Sequence, residues 1–131
     1  MPPIKLATWN INSVRLRIGL VAKLAREQKI DVLCLQETKV ADPQFPHKEI
    51  GKMGFEHIAI NGQKGYHGVA ILSRLPFSKV EAKAFCAKGD ARHLRVTLPG
   101  DIDVHNFYVP AGGDIPDPAA NDKFAPKLHF L

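Results

Sequence analysis

Cysteine is scarce in this chain, which contains only Cys34 and Cys86. Two cysteines cannot build a framework of several disulfides, and no Cys-x-x-Cys pair or Cys/His spacing typical of a structural zinc site is present. Cys34 lies inside an apolar run, where a free cysteine behaves as a small hydrophobic residue. This cysteine usage favours a reducing compartment, and we predict a cytoplasmic protein.

Long apolar segments are also missing. The N-terminal residues MPPIKLATWN contain no hydrophobic stretch of signal-peptide length. No other stretch approaches the roughly 20 apolar residues that a membrane-spanning helix needs. We therefore expect no secretory signal and no membrane partner.

The composition that remains is that of one ordinary globular domain. The chain has 131 residues, of which 45% are hydrophobic and 24% charged, and a chain of this length can bury a core. Its formal net charge is +5 and its pI is about 9.4, which favours an anionic partner such as nucleic acid. Because the Lys and Arg residues are scattered along the chain, a solvated basic surface also explains the charge.

The first third of the chain predicts a strand, a helix and a second strand. Residues 4–9 form a largely apolar run, and Ser13 is a suitable N-cap for a helix over 14–29, where apolar side chains recur every three or four positions. Residues 30–35 are almost continuously apolar, which is typical of a strand covered on both faces. This spacing predicts that the two strands are parallel.

Strands outnumber helices in the rest of the chain. Alternating or continuous apolar runs, separated by glycine and proline, predict four more strands and one short helix. A loop rich in proline and glycine follows, and then a segment that resembles the start of a helix. These elements are the helix 47–53, the strands 55–60, 69–73, 94–98 and 102–109, the loop 110–118 and the helix-like segment 123–131.

Three predicted strands end in polar side chains that suit a metal and a phosphate. These side chains are Asn10, Glu37 and Tyr108. In open α/β sheets, ligands collect outside the carboxyl ends of the strands. Mg²⁺ prefers one or two carboxylates together with waters and substrate oxygens, so Glu37 is a candidate ligand. An amide and a phenol can both donate to a phosphate.

Each of these residues also has an ordinary structural interpretation. Glu37 could be a solvated acid in a loop, and Asn10 could satisfy loop backbone groups, as Asn often does. Tyr108 could be a core residue whose hydroxyl reaches water. Spacing alone does not decide between the two interpretations.

Four consecutive motifs resemble those of the exonuclease III and apurinic/apyrimidinic endonuclease family, in the deoxyribonuclease I-like superfamily. The motifs occur in the family's order and cover essentially the whole chain. LQE alone would also fit superfamily members that cleave lipid or sugar phosphodiesters, whereas the third motif resembles the DNA-repair branch. The motifs are TWNINSVR at 8–15, LQETK at 35–39, GQKGYHGVAILSR at 62–74 and NFYVPAGG at 106–113.

The resemblance implies roles for nine residues. It makes Glu37 a Mg²⁺ or Mn²⁺ ligand and places Asn10 and Tyr108 at the scissile phosphate. Asn12 stands where the family has an Asn or Asp near this cluster, and Lys39 matches a basic residue that helps to order it. The resemblance also implies DNA contacts at Arg15, Lys64, Gly65 and Tyr66. Arg92 is either a further phosphate contact or an exposed charge on an edge strand.

The chain departs from the family's pattern in two ways. The family has an amide side chain after the Tyr-Val-Pro step, where this chain has Ala111. The family's general base, an Asp–His pair, and its Asp-x-Asn motif have no match here, although the reaction needs a base to take a proton from water. After Tyr108 the chain offers only Asp114, Asp117, Asn121, Asp122 and His129.

The resemblance therefore implies an α/β fold, in which residues 1–131 form one sheet-plus-helices half of the four-layer α/β sandwich of the deoxyribonuclease I-like fold. We expect the inner face of this sheet to lack a partner. An uncovered face of that size predicts a fragment of a longer protein, self-association through that face, or poor solubility. The fragment is the interpretation that we favour.

The function implied is that of a Mg²⁺- or Mn²⁺-dependent DNA phosphodiesterase of base-excision repair. Its partner would be double-stranded DNA with an abasic site, cleaved on the 5′ side, or with a 3′ end, degraded from 3′ to 5′. Because the base is missing, we predict that the 131 residues alone are inactive. A non-catalytic DNA- or metal-binding half-domain or homodimer is one alternative. A phosphodiesterase acting on a phosphoinositide or sphingolipid is the other.

Overall fold

The computed structural model describes residues 3–83, 91–110 and 119. None of the helices in this part of the chain is both long and apolar enough to cross a membrane. Ala111, the residues from Asp114 to His129 considered above and the predicted helix-like segment lie outside the described residues. The elements are β1 (Leu6–Asn10), α1 (Ile18–Gln28), β2 (Val32–Gln36), a 3-10 turn (Asp42–Gln44), α2 (His47–Gly51), β3 (His57–Asn61), β4 (Val69–Ser73), β5 (Val80–Glu81), β6 (His93–Leu98) and β7 (Ile102–Phe107).

Four strands form the first sheet, in the order β1-β2-β4-β3. The predicted parallel pairing of β1 with β2 is confirmed, while β4 runs antiparallel to both β2 and β3. All five residues of β2 and all five of β4 are buried. Burial of both faces explains why these strands are apolar almost throughout instead of alternating with polar residues.

Helix α1 begins four residues later than predicted, at Ile18. Asn12 and Ser13 have positive φ angles of 49° and 88°, which are incompatible with a right-handed helix. The N–H groups of Ser13 and Val14 instead donate to the carbonyls of Glu37 and Thr38, at 2.8 and 3.1 Å. The prediction that Ser13 caps α1 is therefore wrong, because hydrogen bonds bind Ser13 and Val14 to the residues just after β2.

One face of the first sheet packs against the helices. Leu33, Leu35 and Leu72 alternate along β2 and β4 and are fully buried on this side. Val21 of α1 and Ile50 of α2 belong to the same apolar cluster. Alternate residues of a strand point to opposite faces, so the remaining apolar residues of β2 and β4 need a second cover.

That second cover is the second sheet, in the order β5-β6-β7. Val32 and Ile71 of the first sheet share a buried cluster with Leu94, Val96 and Leu98 of β6. The prediction that the inner face of the sheet lacks a partner is therefore wrong. The strands predicted at 94–98 and 102–109 form a hairpin that packs on that face, and the two-residue strand β5 was not predicted.

Part of the apolar surface that remains exposed lies beside β1. In the first sheet β1 is an edge strand, and Leu6 on it is 54% exposed. Leu20 of α1 is 53% exposed and, with Ala7, Trp9 and Leu24, lines a groove of about 440 Å³ beside β1. Among the described residues, this β1 edge is thus an uncovered apolar feature of the first sheet.

Candidate active site

Three polar side chains surround the carboxylate of Glu37 at the ends of the strands. The Tyr108 hydroxyl donates to Glu37 Oε1 at 2.6 Å, and Asn10 Nδ2 donates to the same oxygen at 3.2 Å. Lys39 Nζ lies 3.7 Å from Glu37 Oε2. The structure thus brings together Asn10, Glu37, Lys39 and Tyr108, which the sequence predicted as one site.

An unusual backbone directs the Glu37 side chain into this cluster. Glu37 and Lys39 have φ angles of 55° and 54°, a left-handed conformation that residues with a Cβ rarely adopt. Backbone hydrogen bonds hold the segment on both sides. Lys39 N–H donates to the His67 carbonyl at 2.9 Å, and the Glu37 carbonyl accepts from Ser13. The turn is therefore fixed by its neighbours from two directions.

Gly68 allows the neighbouring loop to approach this turn. Its carbonyl accepts a hydrogen bond from Thr38 N–H at 3.1 Å, and its own φ is 89°. A Cβ at this position would lie 2.3 Å from Thr38 Oγ1. Both the backbone conformation and the close contact therefore require glycine here.

Tyr108 is held by Arg92. Tyr108 N–H donates to the Arg92 carbonyl at 2.8 Å, and Arg92 Nη1 donates to the Tyr108 carbonyl at 3.2 Å. The Arg92 guanidinium also lies 4.5 Å from the centre of the Tyr108 ring, a cation–π contact. Arg92 is buried and precedes β6, the central strand of the second sheet. The interpretation of Arg92 as an exposed charge on an edge strand is therefore wrong.

The hydrogen bonds at Glu37 shift the pKa values of both partners. The bond from Tyr108 is the main cause that lowers the pKa of Glu37 below its ordinary value, and the Asn10 bond and the Lys39 charge act in the same direction against partial burial. Burial, followed by the bond to Glu37, raises the pKa of Tyr108 to about 12. Glu37 is thus an anion and Tyr108 a neutral donor near pH 7.

One carboxylate oxygen of Glu37 is available to a cation. Among the described residues, Oε1 accepts both hydrogen bonds, whereas Oε2 faces the Lys39 ammonium alone. Within the described ranges, no group of three or more His, Cys, Asp or Glu residues could hold a metal ion. A single carboxylate suits Mg²⁺ or Mn²⁺ that keeps most of its waters, and it does not suit a metal enclosed entirely by protein ligands.

The other predicted contact residues lie around this cluster. Lys64, Gly65 and Tyr66 are exposed on the loop that ends at Gly68, and the Tyr66 ring contacts His67, whose ring lies 5.9 Å from that of Tyr108. This loop therefore borders the site.

Two further predicted residues lie on the segment between β1 and α1. Asn12 and Arg15 are exposed there. Among the described residues, the Asn12 side chain makes no hydrogen bond with Glu37, although its backbone carbonyl accepts one from Arg17. Asn12, which was predicted near the cluster, therefore does not bind the Glu37 carboxylate directly.

Sequence reasoning missed two buried amides that lie beside the site. Gln36 is one residue before Glu37, and Asn106 is two residues before Tyr108. They are 9% and 2% exposed and hydrogen-bonded to each other at 2.8 Å. The signal available in the sequence was an amide at the end of the apolar run VLCLQ, since a buried polar residue needs a partner.

The sequence from residue 7 to residue 130 matches the endonuclease/exonuclease/phosphatase family. One curated relative, exodeoxyribonuclease III of Haemophilus influenzae, is 32% identical over 115 residues, which are 83% of this chain and 42% of the relative. The chain therefore spans less than half the length of this relative.

Solved structures give the same result. An AP endonuclease from Archaeoglobus fulgidus superposes with a TM-score of 0.85 at 37% identity, covering 98% of this chain and 48% of that one. A 3′ phosphatase from Neisseria bound to a product DNA hairpin gives a TM-score of 0.84 at 32% identity, with the same coverage. These matches confirm the resemblance found in the four motifs and the α/β fold that it implied.

Proposed function

The chain belongs to the endonuclease/exonuclease/phosphatase family, and we propose that it carries the Glu37 half of the active site of a DNA-repair phosphodiesterase. The observation that carries this proposal is the Asn10–Glu37–Tyr108 cluster at the strand ends. The proposed substrates are duplex DNA with an abasic site, cut on its 5′ side, and duplex 3′ ends. The relatives named for exodeoxyribonuclease and AP endonuclease activity support this choice over a lipid substrate.

Each side chain of the cluster has a distinct role in this proposal. Glu37 Oε2 would hold Mg²⁺ or Mn²⁺, which when bound supplies positive charge to the phosphate oxygens. Asn10 and Tyr108 keep the other oxygen in place. The Asn10 amide has a second N–H that would donate to a phosphate oxygen, whereas Tyr108 would donate to one only by giving up its bond to Glu37. Lys39 limits the negative charge of the site while no phosphate is bound.

The DNA would be held by the loop that borders the site. Lys64 offers a charge to the DNA backbone, and Gly65, with a φ of 81°, lets the loop approach a groove closely. Tyr66 is 61% exposed and can stack or pack against a sugar. Arg15 offers a second positive charge near the end of β1.

Metal binding tests the role of Glu37. In this chain, Glu37→Gln should weaken Mn²⁺ binding, measured by electron paramagnetic resonance, at least about tenfold, because the only carboxylate of the cluster is lost. Glu56→Gln, which changes an exposed acid on the segment before β3, is the matched control and should bind Mn²⁺ as the unmodified chain does. Equal affinity in all three proteins contradicts the proposed metal site.

DNA binding tests the role of the loop. Lys64→Ala should weaken binding to a duplex with an abasic-site analogue and reduce its dependence on salt, because one phosphate contact is lost. Lys48→Ala, an exposed lysine of α2, is the control. A Lys64→Ala/Tyr66→Ala variant with unchanged DNA affinity would oppose this proposal and favour a lipid headgroup as substrate.

A cleavage assay distinguishes the proposed nuclease from the main alternative, a non-catalytic DNA- or metal-binding half-domain. The specific observation that favours this alternative is that, among the described residues, Glu37 belongs to no group of three or more His, Cys, Asp or Glu side chains that could hold a metal ion. We expect the 131 residues alone to bind DNA but not to cut it. A version fused to the second half of a relative should cut at the abasic site. Full activity of the unfused chain would disprove this expectation.

A further inference from the structure

A buried pair of amide side chains joins the two sheets next to the candidate active site. Gln36, the last residue of β2, donates from Nε2 to Asn106 Oδ1 at 2.8 Å and to Thr8 Oγ1 at 2.9 Å. Gln36 belongs to the first sheet and Asn106 to β7 of the second. The chain thus has a direct polar link between sheets whose other contacts are largely apolar.

The side-chain N–H groups of Asn106 donate to the backbone of the first sheet. Its Nδ2 donates to the carbonyl of Leu35 at 2.9 Å and to the carbonyl of Ala70 at 2.8 Å. Leu35 and Ala70 face each other across β2 and β4. Three hydrogen bonds from one side chain therefore attach β7 to two adjacent strands of the other sheet.

Such bonds restrict the position of one sheet on the other more tightly than apolar packing does. Apolar contacts have no direction, whereas hydrogen bonds require a particular distance and angle between donor and acceptor. A buried amide that loses its partners is left unsatisfied, which is costly. The observed placement of β7 satisfies Gln36 and Asn106 together.

These two amides lie close in sequence to the site residues, so the placement of β7 on β2 also affects the site. Glu37 follows Gln36 directly, and Tyr108 lies two residues after Asn106, so the same sheet placement sets the distance between their side chains. The Tyr108 hydroxyl reaches Glu37 Oε1 at 2.6 Å, and a displacement of about 1 Å would remove that bond.

We propose that Gln36 and Asn106 are positioning residues, which fix β7 on the end of β2 so that the Tyr108 hydroxyl meets the Glu37 carboxylate. Their importance for catalysis rests on the proposed function. The geometric statement does not, since it concerns only a hydrogen bond within this chain.

The test measures directly whether the Tyr108 hydroxyl donates a hydrogen bond. The chain has two tyrosines, so a Tyr66→Phe background leaves Tyr108 as the only one. The intensity ratio of the tyrosine Fermi doublet in the ultraviolet resonance Raman spectrum then reports whether this phenol donates a strong hydrogen bond. We expect the donor signature in the background chain and its loss in Asn106→Leu, at the same temperature and pH.

A matched control separates positioning from general stability. Asn61 also links the sheets, because its Nδ2 donates to the carbonyl of His93 at 3.1 Å, but it lies on β3, two strands from β2. We expect Asn61→Leu to lower the unfolding midpoint as Asn106→Leu does and to keep the donor signature. If Asn106→Leu does not fold, Gln36→Met tests the proposal through the other partner. It removes the Gln36–Asn106 bond but leaves the backbone bonds of Asn106 intact, and it too should lose the donor signature.

The outcomes are distinct for the two proposals. A folded Asn106→Leu or Gln36→Met chain that keeps the donor signature overturns the positioning role, and so does its equal loss in Asn61→Leu. Neither result depends on metal or DNA. Failure of Glu37→Gln to weaken Mn²⁺ binding would instead overturn the proposed function and leave the positioning role standing.

Discussion

At the scale of single residues, the site depends on backbone conformations that side chains normally avoid. Glu37 and Lys39 both have a positive φ, and each such residue costs on the order of 1 kcal/mol. Hydrogen bonds between neighbouring segments and the Glu37 carbonyl, Thr38 N–H and Lys39 N–H offset this cost. The acid is therefore aimed by its backbone before any ligand binds.

Replacing Gly68 tests how much the site relies on this close approach. Gly68→Ala should lower the unfolding free energy by on the order of 2 kcal/mol, because the new Cβ meets Thr38 Oγ1 in a strained conformation. Urea unfolding followed by the fluorescence of the single tryptophan, Trp9, measures it. Gly19→Ala in α1 is the opposite control. Its Cβ would have no atom within 4 Å, so it should stabilise the chain by about 0.5 kcal/mol.

Removing the Tyr108 hydroxyl tests the charge balance of the cluster. Because the folded chain lowers the pKa of Glu37, this group stabilises the fold above its unfolded pKa, and that contribution is lost as pH falls through the folded pKa. Tyr108→Phe removes the main cause of the shift. Its unfolding free energy should be about 1 kcal/mol lower at pH 7, and the difference from the unmodified chain should shrink below pH 4.5, the ordinary pKa. A constant difference at all pH values would contradict this.

The site residues differ in how far the sequence could predict them. Asn10, Glu37 and Tyr108 could be predicted, because polar residues after apolar strands meet at one edge of a sheet and fall within recognisable motifs. Gln36 and Asn106 could not be assigned a role, because their burial follows from the packing of β7 on β2. For Arg92 the sequence left both a phosphate contact and an exposed charge on an edge strand open, because pattern alone does not reveal which strand is central.

At the scale of elements, the second sheet has a histidine pair on the face that does not contact the first sheet. His93 is buried, its Nδ1 accepts from Lys83 N–H at 3.1 Å, and its Nε2 lies 3.1 Å from His105 Nδ1. Burial, followed by His105, lowers the pKa of His93, against the charge of Glu81. The fold therefore favours the neutral ring. Lys83 and Arg95 are the other charged groups that lower its pKa.

This pair predicts a loss of stability in mild acid. Below about pH 6.5 the unfolded chain takes up a proton at His93, whereas the folded chain does so only at lower pH, so the unfolding free energy falls through this interval. His93→Leu should be less stable at pH 8, since Lys83 N–H loses its acceptor, but its stability should vary less between pH 8 and 5. Urea unfolding at each pH measures this. His47→Gln, an exposed ring on α2, should keep the original slope, and an unchanged slope in His93→Leu would refute the prediction.

Most strands could be predicted at this scale, because β2 and β4 are apolar throughout and β6 alternates. The start of α1 could not, because the helical periodicity extends back to Val14 while the hydrogen bonds to Glu37 and Thr38 hold that residue in a different conformation. The division into two sheets also escaped prediction, because alternation within a strand does not say which other strand covers its inner face.

At the scale of the whole molecule, one group of uncovered apolar residues lies along the β1 edge. Leu6 of β1 and Leu20 of α1 are more than half exposed next to the groove beside β1. An edge strand also presents unpaired backbone groups to other chains. We therefore move the predicted self-association from the inner face of the sheet to this edge.

Lysines introduced on this edge should keep the chain monomeric. The unmodified chain should associate as its concentration rises, while a Leu6→Lys/Leu20→Lys variant should not, because lysine on an edge opposes pairing. Sedimentation velocity over a wide concentration range measures this. Val80→Lys is the matched control, since Val80 is 55% exposed but lies on β5. A chain that stays monomeric without any substitution would disprove the prediction.

The separation between Glu37 and Tyr108 also has a consequence for synthesis of the protein. The two residues that share the 2.6 Å hydrogen bond are 71 positions apart in the chain. On the ribosome, Glu37 leaves the exit tunnel long before Tyr108, and contacts so distant in sequence form late in folding. For that interval the nascent chain exposes a carboxylate without its phenol donor. The Glu37–Tyr108 contact is therefore made only when β7 emerges and docks.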